Sequence, residues 1–220
     1  MRESRPASTR VVLIHGAATT SRVWRHVIPL LTEAGGLAVS CPDRMSSGDL
    51  AAEVAALRDV CHGAIVAGVS GGATLGLALA AAGVPLRAAL LHEPAVGSLY
   101  PGLLDQVRAA YQAGGVPAFA SALYGPAWTA GEAPGDPGAV ARDLAMFSAF
   151  EPSAPLSGAG PVVLTVGQRS PQARHESVRR LADKFGLAAW ELPGTGHAVH
   201  LEAPGVFALA IRRLAAEAER

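Results

Sequence analysis

A serine stands between glycines placed two positions before it and two after it, in Gly68-Val69-Ser70-Gly71-Gly72. A short apolar run precedes this turn and the small, helix-compatible run Thr74 to Ala82 follows it. A serine hydroxyl is a poor nucleophile until a base takes its proton, a carboxylate orients that base and N–H donors receive the oxyanion. The glycine spacing suits such a serine, because it removes the Cβ atoms that would block a tight strand-to-helix turn. The following helix would lend its N-terminal N–H groups and dipole to any anion formed there. The same pentapeptide also reads as a plain strand-helix connector, since glycine-rich serine turns are common.

The partners such a serine needs must be carried to it by strands and helices. Val11-Val12-Leu13-Ile14, ended by His15-Gly16-Ala17-Ala18, is the β-branched run of a strand buried on both faces. Leu37 to Cys41, Ala64 to Val69, Leu86 to Leu91, Pro161 to Gly167 and Ala188 to Leu192 read as further strands. Helical spacing predicts helices over Ser21 to Ala34, with Pro29 an objection, and over Asp49 to Cys61, Thr74 to Ala82, Glu176 to Phe185 and Pro204 to Glu217. The alternation implies a parallel sheet covered on both faces. Reacting groups in such sheets gather beyond the C-terminal strand ends, and His15, Asp43, Ser70, Glu93, Ser170 and His197 each follow a strand.

Ala95 to Gly160 breaks the rhythm. Helices are expected over Leu99 to Tyr111, Val116 to Tyr124 and Val140 to Phe150, parted by Gly114-Gly115 and by the loop Glu132 to Gly138. All three tyrosines, three of the five phenylalanines and Trp128 lie in this segment. They form either a small core of its own or an apolar lid over a pocket.

Composition narrows the function classes. The 220 residues suit one domain with a real core and leave room for an inserted subdomain, and with half of them apolar and 16% charged the chain is globular. A formal charge of zero offers nucleic acid no field, so the expected partner is a small uncharged or singly charged molecule. Met1 to Pro6 is polar and lacks the apolar core of a secretion signal, which implies a cytoplasmic location. Gly63 to Leu86 carries no charge, yet six glycines and the serine turn argue for a soluble strand-turn-helix over a membrane span. Cys41 and Cys61 border strands and are expected as buried free thiols. The clustered Cys/His spacing of a metal site is missing, so no metal or organic cofactor is expected.

His15-Gly16-Ala17, Cys41-Pro42-Asp43-Arg44, the Gly68 to Gly72 turn and Gly196-His197-Ala198-Val199-His200-Leu201-Glu202-Ala203-Pro204 together resemble the α/β-hydrolase superfamily, over nearly the whole chain. The resemblance implies an α/β fold: a mostly parallel six-stranded α/β-hydrolase sheet flanked by helices, formed by residues 1–97 and 158–220, with an inserted helical cap over 98–157. It implies Ser70 as nucleophile, His197 as general base, and the backbone N–H groups of Ala17 and Gly71 as the oxyanion hole. His200 is then structural, and His15 shapes its loop through hydrogen bonds. Only ten residues precede the first apolar run, too few for the family's usual N-terminal strand pair.

One position departs from the family pattern. After the fifth strand the family usually places an aspartate three residues beyond a glycine; in Gly167-Gln168-Arg169-Ser170 that position is Ser170, and no acidic residue lies between Gly158 and His175. Glu93 is the best substitute, because haloalkane dehalogenases of this superfamily carry their acid after the fourth strand; Leu91-His92-Glu93-Pro94 also reads as a simple turn into the cap. Asp43 and Asp183 are weaker candidates. The implied activity is hydrolysis of a small, largely apolar ester or thioester through an acyl-Ser70 intermediate. Two other readings stay open: a non-hydrolytic enzyme on the same fold (a lyase, cyclase, acyltransferase or cofactor-free oxygenase) with His197 acting on the substrate itself, and a non-catalytic ligand-binding protein. The expected partner is a small-molecule substrate, with no nucleic acid and no membrane, and self-association into a homo-oligomer is left open.

Overall fold

The apolar runs become strands and the periodic stretches between them become helices. A computed structural model describes residues 8–33 and 35–219; the polar stretch Met1 to Pro6 and Ala34 of the first expected helix lie outside the described residues. In chain order the elements are β1 (Thr9–Ile14), α1 (Val27–Thr32), β2 (Leu37–Ser40), α2 (Leu50–Cys61), β3 (Ile65–Val69), α3 (Gly71–Ala81), β4 (Ala88–His92), α4 (Asp105–Tyr124), α5 (Ala139–Ser148), β5 (Val162–Gly167), α6 (Gln172–Phe185), β6 (Ala188–Leu192), α7 (Val199–Glu202) and α8 (Pro204–Ala218). The strands form one sheet in the order β2-β1-β3-β4-β5-β6, and every neighbouring pair is parallel.

Period-two alternation feeds two cores, one on each face of the sheet. Val11, Leu13, Ile65, Ala67 and Leu90 pack on one side against Val27 and Leu31 of α1 and Phe207, Ile211 and Leu214 of α8. Val12, Ile14, Val66, Leu91 and Leu164 pack on the other against Leu57 of α2, Leu75 and Leu79 of α3 and Leu181 of α6. The chain turns back after β2 and continues on the far side of β1, so the strand order reverses between β1 and β3. Their register runs from Val11 beside Ile65 to Ile14 beside Gly68. The loop after β1 and the turn after β3 therefore leave the sheet side by side, at the switch point where open α/β sheets form their crevice.

Several elements differ from the sequence reading for local reasons. The helix expected over Ser21 to Ala34 splits into a 3-10 turn, Ser21–Trp24, and the short α1 containing Pro29. Asp49 caps α2 instead of lying inside it, its carboxylate accepting the N–H groups of Ala51 (2.8 Å) and Ala52 (3.2 Å). The helix expected from Leu99 begins at Asp105, and it continues into the next one across a kink at Gly114 and Gly115. Gly115 takes φ 61° and ψ −149°, which only glycine adopts without strain. Cys61 is buried, whereas Cys41 on the edge of the sheet is only partly so.

Residues 93–161 lie between β4 and β5, with α4 and α5 resting over the C-terminal strand ends. Val107, Phe119, Tyr124, Val140, Leu144 and Phe147 belong to the same continuous core as α3 and the sheet, so the segment does not build a separate core. Among the described residues no helix is long and apolar enough to cross a membrane.

Candidate active site

Ser70 occupies the turn between β3 and α3 with φ 56° and ψ −121°. A non-glycine residue in that conformation costs about 1–3 kcal/mol, so the surroundings must impose it. Close approach of backbones does so: a Cβ on Gly72 would lie 1.9 Å from the Ile14 carbonyl oxygen, and one on Gly68 would lie 2.4 Å from the Gly72 carbonyl oxygen. Ser70 is partly exposed to a hollow, and Gly71, the first residue of α3, has an N–H without a partner inside the helix.

The loop after β1 is held by its carbonyls. Arg44 donates from Nε to His15 O and from Nη2 to Gly16 O, both at 3.0 Å. Tyr124 Oη donates to Ala17 O at 2.8 Å, and Trp128 Nε1 to Ala18 O at 2.9 Å. In a trans peptide C=O and N–H point oppositely, so fixing Gly16 O on the Arg44 side turns the Ala17 N–H the other way. Among the described residues that N–H bonds to no carbonyl or side chain. Gly16 is required here: a Cβ would meet Tyr124 Oη at 2.5 Å and Ser70 Cβ at 3.2 Å. His15 completes the loop. Its Nδ1–H donates to Gly16 O (3.0 Å) and its Nε2 accepts the Arg44 N–H (3.2 Å). Burial, and then the Arg44 charge, pull its pKa down to about 3.

Glu93 follows β4 and His197 follows β6. Nδ1–H of His197 donates to Glu93 Oε2 at 2.8 Å. The other carboxylate oxygen, Oε1, accepts the Gly167 N–H at 2.9 Å and the Ser170 hydroxyl. Burial works against ionisation of Glu93, but the neighbouring His92, the N–H that His197 donates, and the Arg174 cation together hold its carboxyl well below the usual carboxylate range. Burial and the Arg174 cation lower the pKa of His197, against the opposing pull of Glu93. The ring is then neutral with its proton on Nδ1, and Nε2 is a lone pair without a hydrogen-bond partner among the described residues. Ser70 Oγ is therefore not bonded to it here. His92 fixes the neighbouring loop, donating from Nε2 to Gly196 O (3.1 Å) and accepting from Thr165 at Nδ1 (3.0 Å), and burial pulls its pKa down to about 4.

The structure brings Ser70, His197, Glu93, Ala17 and Gly71 to one end of the sheet, with Ser170 beside Glu93. Asp43 does not join them; its exposed carboxylate accepts the Ser21 N–H at 2.6 Å. Asp183 pairs with Arg179 on the outer face of α6. His200 is buried between Trp24 and Tyr124, with ring centroids 5.1 and 5.9 Å away. Three groups escaped the sequence reading. Tyr124 stacks on His197 at 5.9 Å, and the crowding of tyrosines in residues 95–160 was its one signal. Asp143 grips Arg44 with both oxygens, at 2.6 and 3.1 Å, which ties α5 to the loop after β1. Arg174 occupies the first position of the buried stripe 174, 177, 178, 181 and 182 of α6, so a charge at a core position was its signal.

A model of the alpha/beta hydrolase family matches residues 11–210. The chain belongs to that family. No curated protein matches it in sequence. Solved structures of similar fold include MenH from S. aureus, at 15% identity, TM-score 0.75, covering 99% of this chain and 97% of that one. The enol-lactonase from Burkholderia xenovorans LB400 is 19% identical with TM-score 0.73, covering 97% and 94%. A carboxylesterase structure from the thaumarchaeon Nitrososphaera gargenis is 15% identical with TM-score 0.72, covering 99% and 93%. At such identities the likeness is one of fold. Within this alpha/beta hydrolase the loop after β5 presents no acid; it presents two donors, Gly167 N–H and Ser170 Oγ, to a carboxylate delivered from β4.

Proposed function

We propose that this alpha/beta hydrolase is a serine-dependent hydrolase that cleaves a small, largely apolar ester or thioester through an acyl-Ser70 intermediate, with residues 98–157 as its cap and the cytoplasm as its compartment. The observation that carries the reading is the His197 Nδ1 to Glu93 Oε2 bond at 2.8 Å, which leaves Nε2 unprotonated and free of competing donors.

In this mechanism Nε2 takes the Ser70 proton as Oγ attacks the carbonyl carbon, and the displaced electron pair resides on the carbonyl oxygen. The Ala17 and Gly71 N–H groups receive that oxyanion. Its collapse expels the alcohol or thiol, which leaves with the proton held by His197. Water then gives a proton to His197 and attacks the acyl carbon; collapse releases the acid and returns the proton to Ser70 Oγ. Glu93 stays ionised throughout, orienting the ring and stabilising the imidazolium, a role worth roughly 10⁴-fold in turnover or about 5 kcal/mol. Ala17, Thr74, Phe119, Leu144 and Phe147 wall the hollow over Ser70, whose free volume of about 20 Å³ holds about one water.

A second reading rests on the absent bond between Ser70 Oγ and His197 Nε2: a base free of the serine could act on the substrate directly in a non-hydrolytic reaction. Intact-mass analysis after treatment with a fluorophosphonate separates the two. The first reading predicts one phosphonyl adduct on the native protein and none on Ser70→Ala; an unlabelled native protein, or an adduct persisting in the variant, would refute it.

A further inference from the structure

Arg174 stands in the first turn of α6, where a helix dipole disfavours a cation, and it is 8% exposed. A buried guanidinium carries five N–H donors that need acceptors. The carboxylate beside it, Glu93 Oε2, is 3.8 Å from Nε, beyond hydrogen-bonding distance. Glu93 is already engaged by Gly167, Ser170 and His197. The guanidinium instead forms a wall common to two hollows, the one over Ser70 and a cleft of about 200 Å³ beside His197. The one other full charge on those walls is Arg169, which is paired with Glu202 at 3.2 Å. No carboxylate lines either space among the described residues. Around Ser70 and His197 the walls thus hold neutral polar groups, no carboxylate, and one buried cation that donates no hydrogen bond among the described residues.

We propose that the substrate carries a carboxylate, bound by the Arg174 guanidinium, on an otherwise apolar body that bears the scissile ester or thioester. This rests on the serine-hydrolase reading of the same site and narrows its substrate to monoanions. A planar carboxylate supplies the paired acceptors that the guanidinium fork lacks, and the anion also sits at the α6 N-terminus, where the dipole favours it. Arg174 then selects the substrate and has no part in the bond changes at Ser70.

The test compares kcat/KM for mono-4-nitrophenyl adipate and for its neutral counterpart in which the free acid is a primary amide. The ratio within one protein cancels differences in folded or active fraction. The native protein is expected to prefer the acid roughly 10- to 100-fold, with the preference falling to about 1 in Arg174→Gln and to an intermediate value in Arg174→Lys. An Arg174 that merely supported Glu93 would alter both esters equally and leave the ratio intact. A native ratio near 1 while Ser70 still takes a fluorophosphonate, or a preference that persists in Arg174→Gln, overturns the proposal and leaves the hydrolase reading standing. Where neither ester turns over and Ser70 stays unlabelled, the hydrolase reading fails. Calorimetric titration with adipic acid monoamide then decides the carboxylate site alone: binding to the native protein and not to Arg174→Gln supports it, and no binding to the native protein overturns it.

Discussion

Glu93 and Ser70 share an unusual backbone conformation, with φ of 49° and 56°, and each ends a buried strand. A side chain held there at about 1–3 kcal/mol of strain is aimed by its surroundings. Strain at Glu93 swings the carboxylate across the end of β5, where Ser170 and Gly167 receive it. Ser170 is thus a hydrogen-bond partner of Glu93, the proposed acid, and stands at the position where the family pattern usually places the acid itself. Losing its hydroxyl leaves a buried carboxylate oxygen short of one donor, a cost of about 1–3 kcal/mol. Ser170→Ala should lower kcat/KM for a neutral aryl ester roughly tenfold, while Ser170→Thr, which keeps the donor, should retain most of the activity. Native activity in Ser170→Ala would show that Glu93 is held in place without it.

Elements show why part of this was legible in the sequence. Buried strands announce themselves as short β-branched runs, so β1, β3 and β5 were readable, and the residues just after the strands, Ser70 behind β3 and His197 behind β6, followed from the rule that parallel sheets work at their C-terminal ends. The pairing of Glu93 with His197 was expected only through the family resemblance; local pattern did not show it, because it joins residues 104 positions apart through a side-chain direction set by one backbone torsion. The kink of α4 was half legible. Gly114-Gly115 marked a break, but the packing of Val107 and Phe119 into one core carries both halves on as neighbouring helices over the site. Arg174 and Tyr124 escaped for the same reason. Their roles depend on which hollow a helix face meets, and periodicity reports a face without naming what it touches.

At the scale of the whole molecule, His15, His92, His197 and His200 are all kept neutral by burial, with pKa values pulled below the ordinary 6.5, to about 3 for His15 and about 4 for His92. Below pH 6.5 the unfolded chain takes up protons that the folded chain refuses, so stability falls with falling pH, by roughly 1 kcal/mol per pH unit for each such histidine. Glu93 acts in the same direction, since its ionised folded form contributes stability present above the ordinary glutamate range and lost as pH falls below it. Urea unfolding should therefore have a clearly lower midpoint at pH 5 than at pH 7; equal midpoints would mean that these rings are not held neutral. The same architecture brings Ser70, Glu93 and His197, the proposed nucleophile, acid and base, from three different strand ends, β3, β4 and β6, and their joint action is the central proposal. The most direct measurement of it is the rate at which a fluorophosphonate labels Ser70 in the native protein, in Glu93→Gln and in His197→Ala. The account predicts fast labelling of the native protein and a collapse in both variants, by roughly 10⁴-fold in Glu93→Gln. Labelling of Glu93→Gln at the native rate would contradict it.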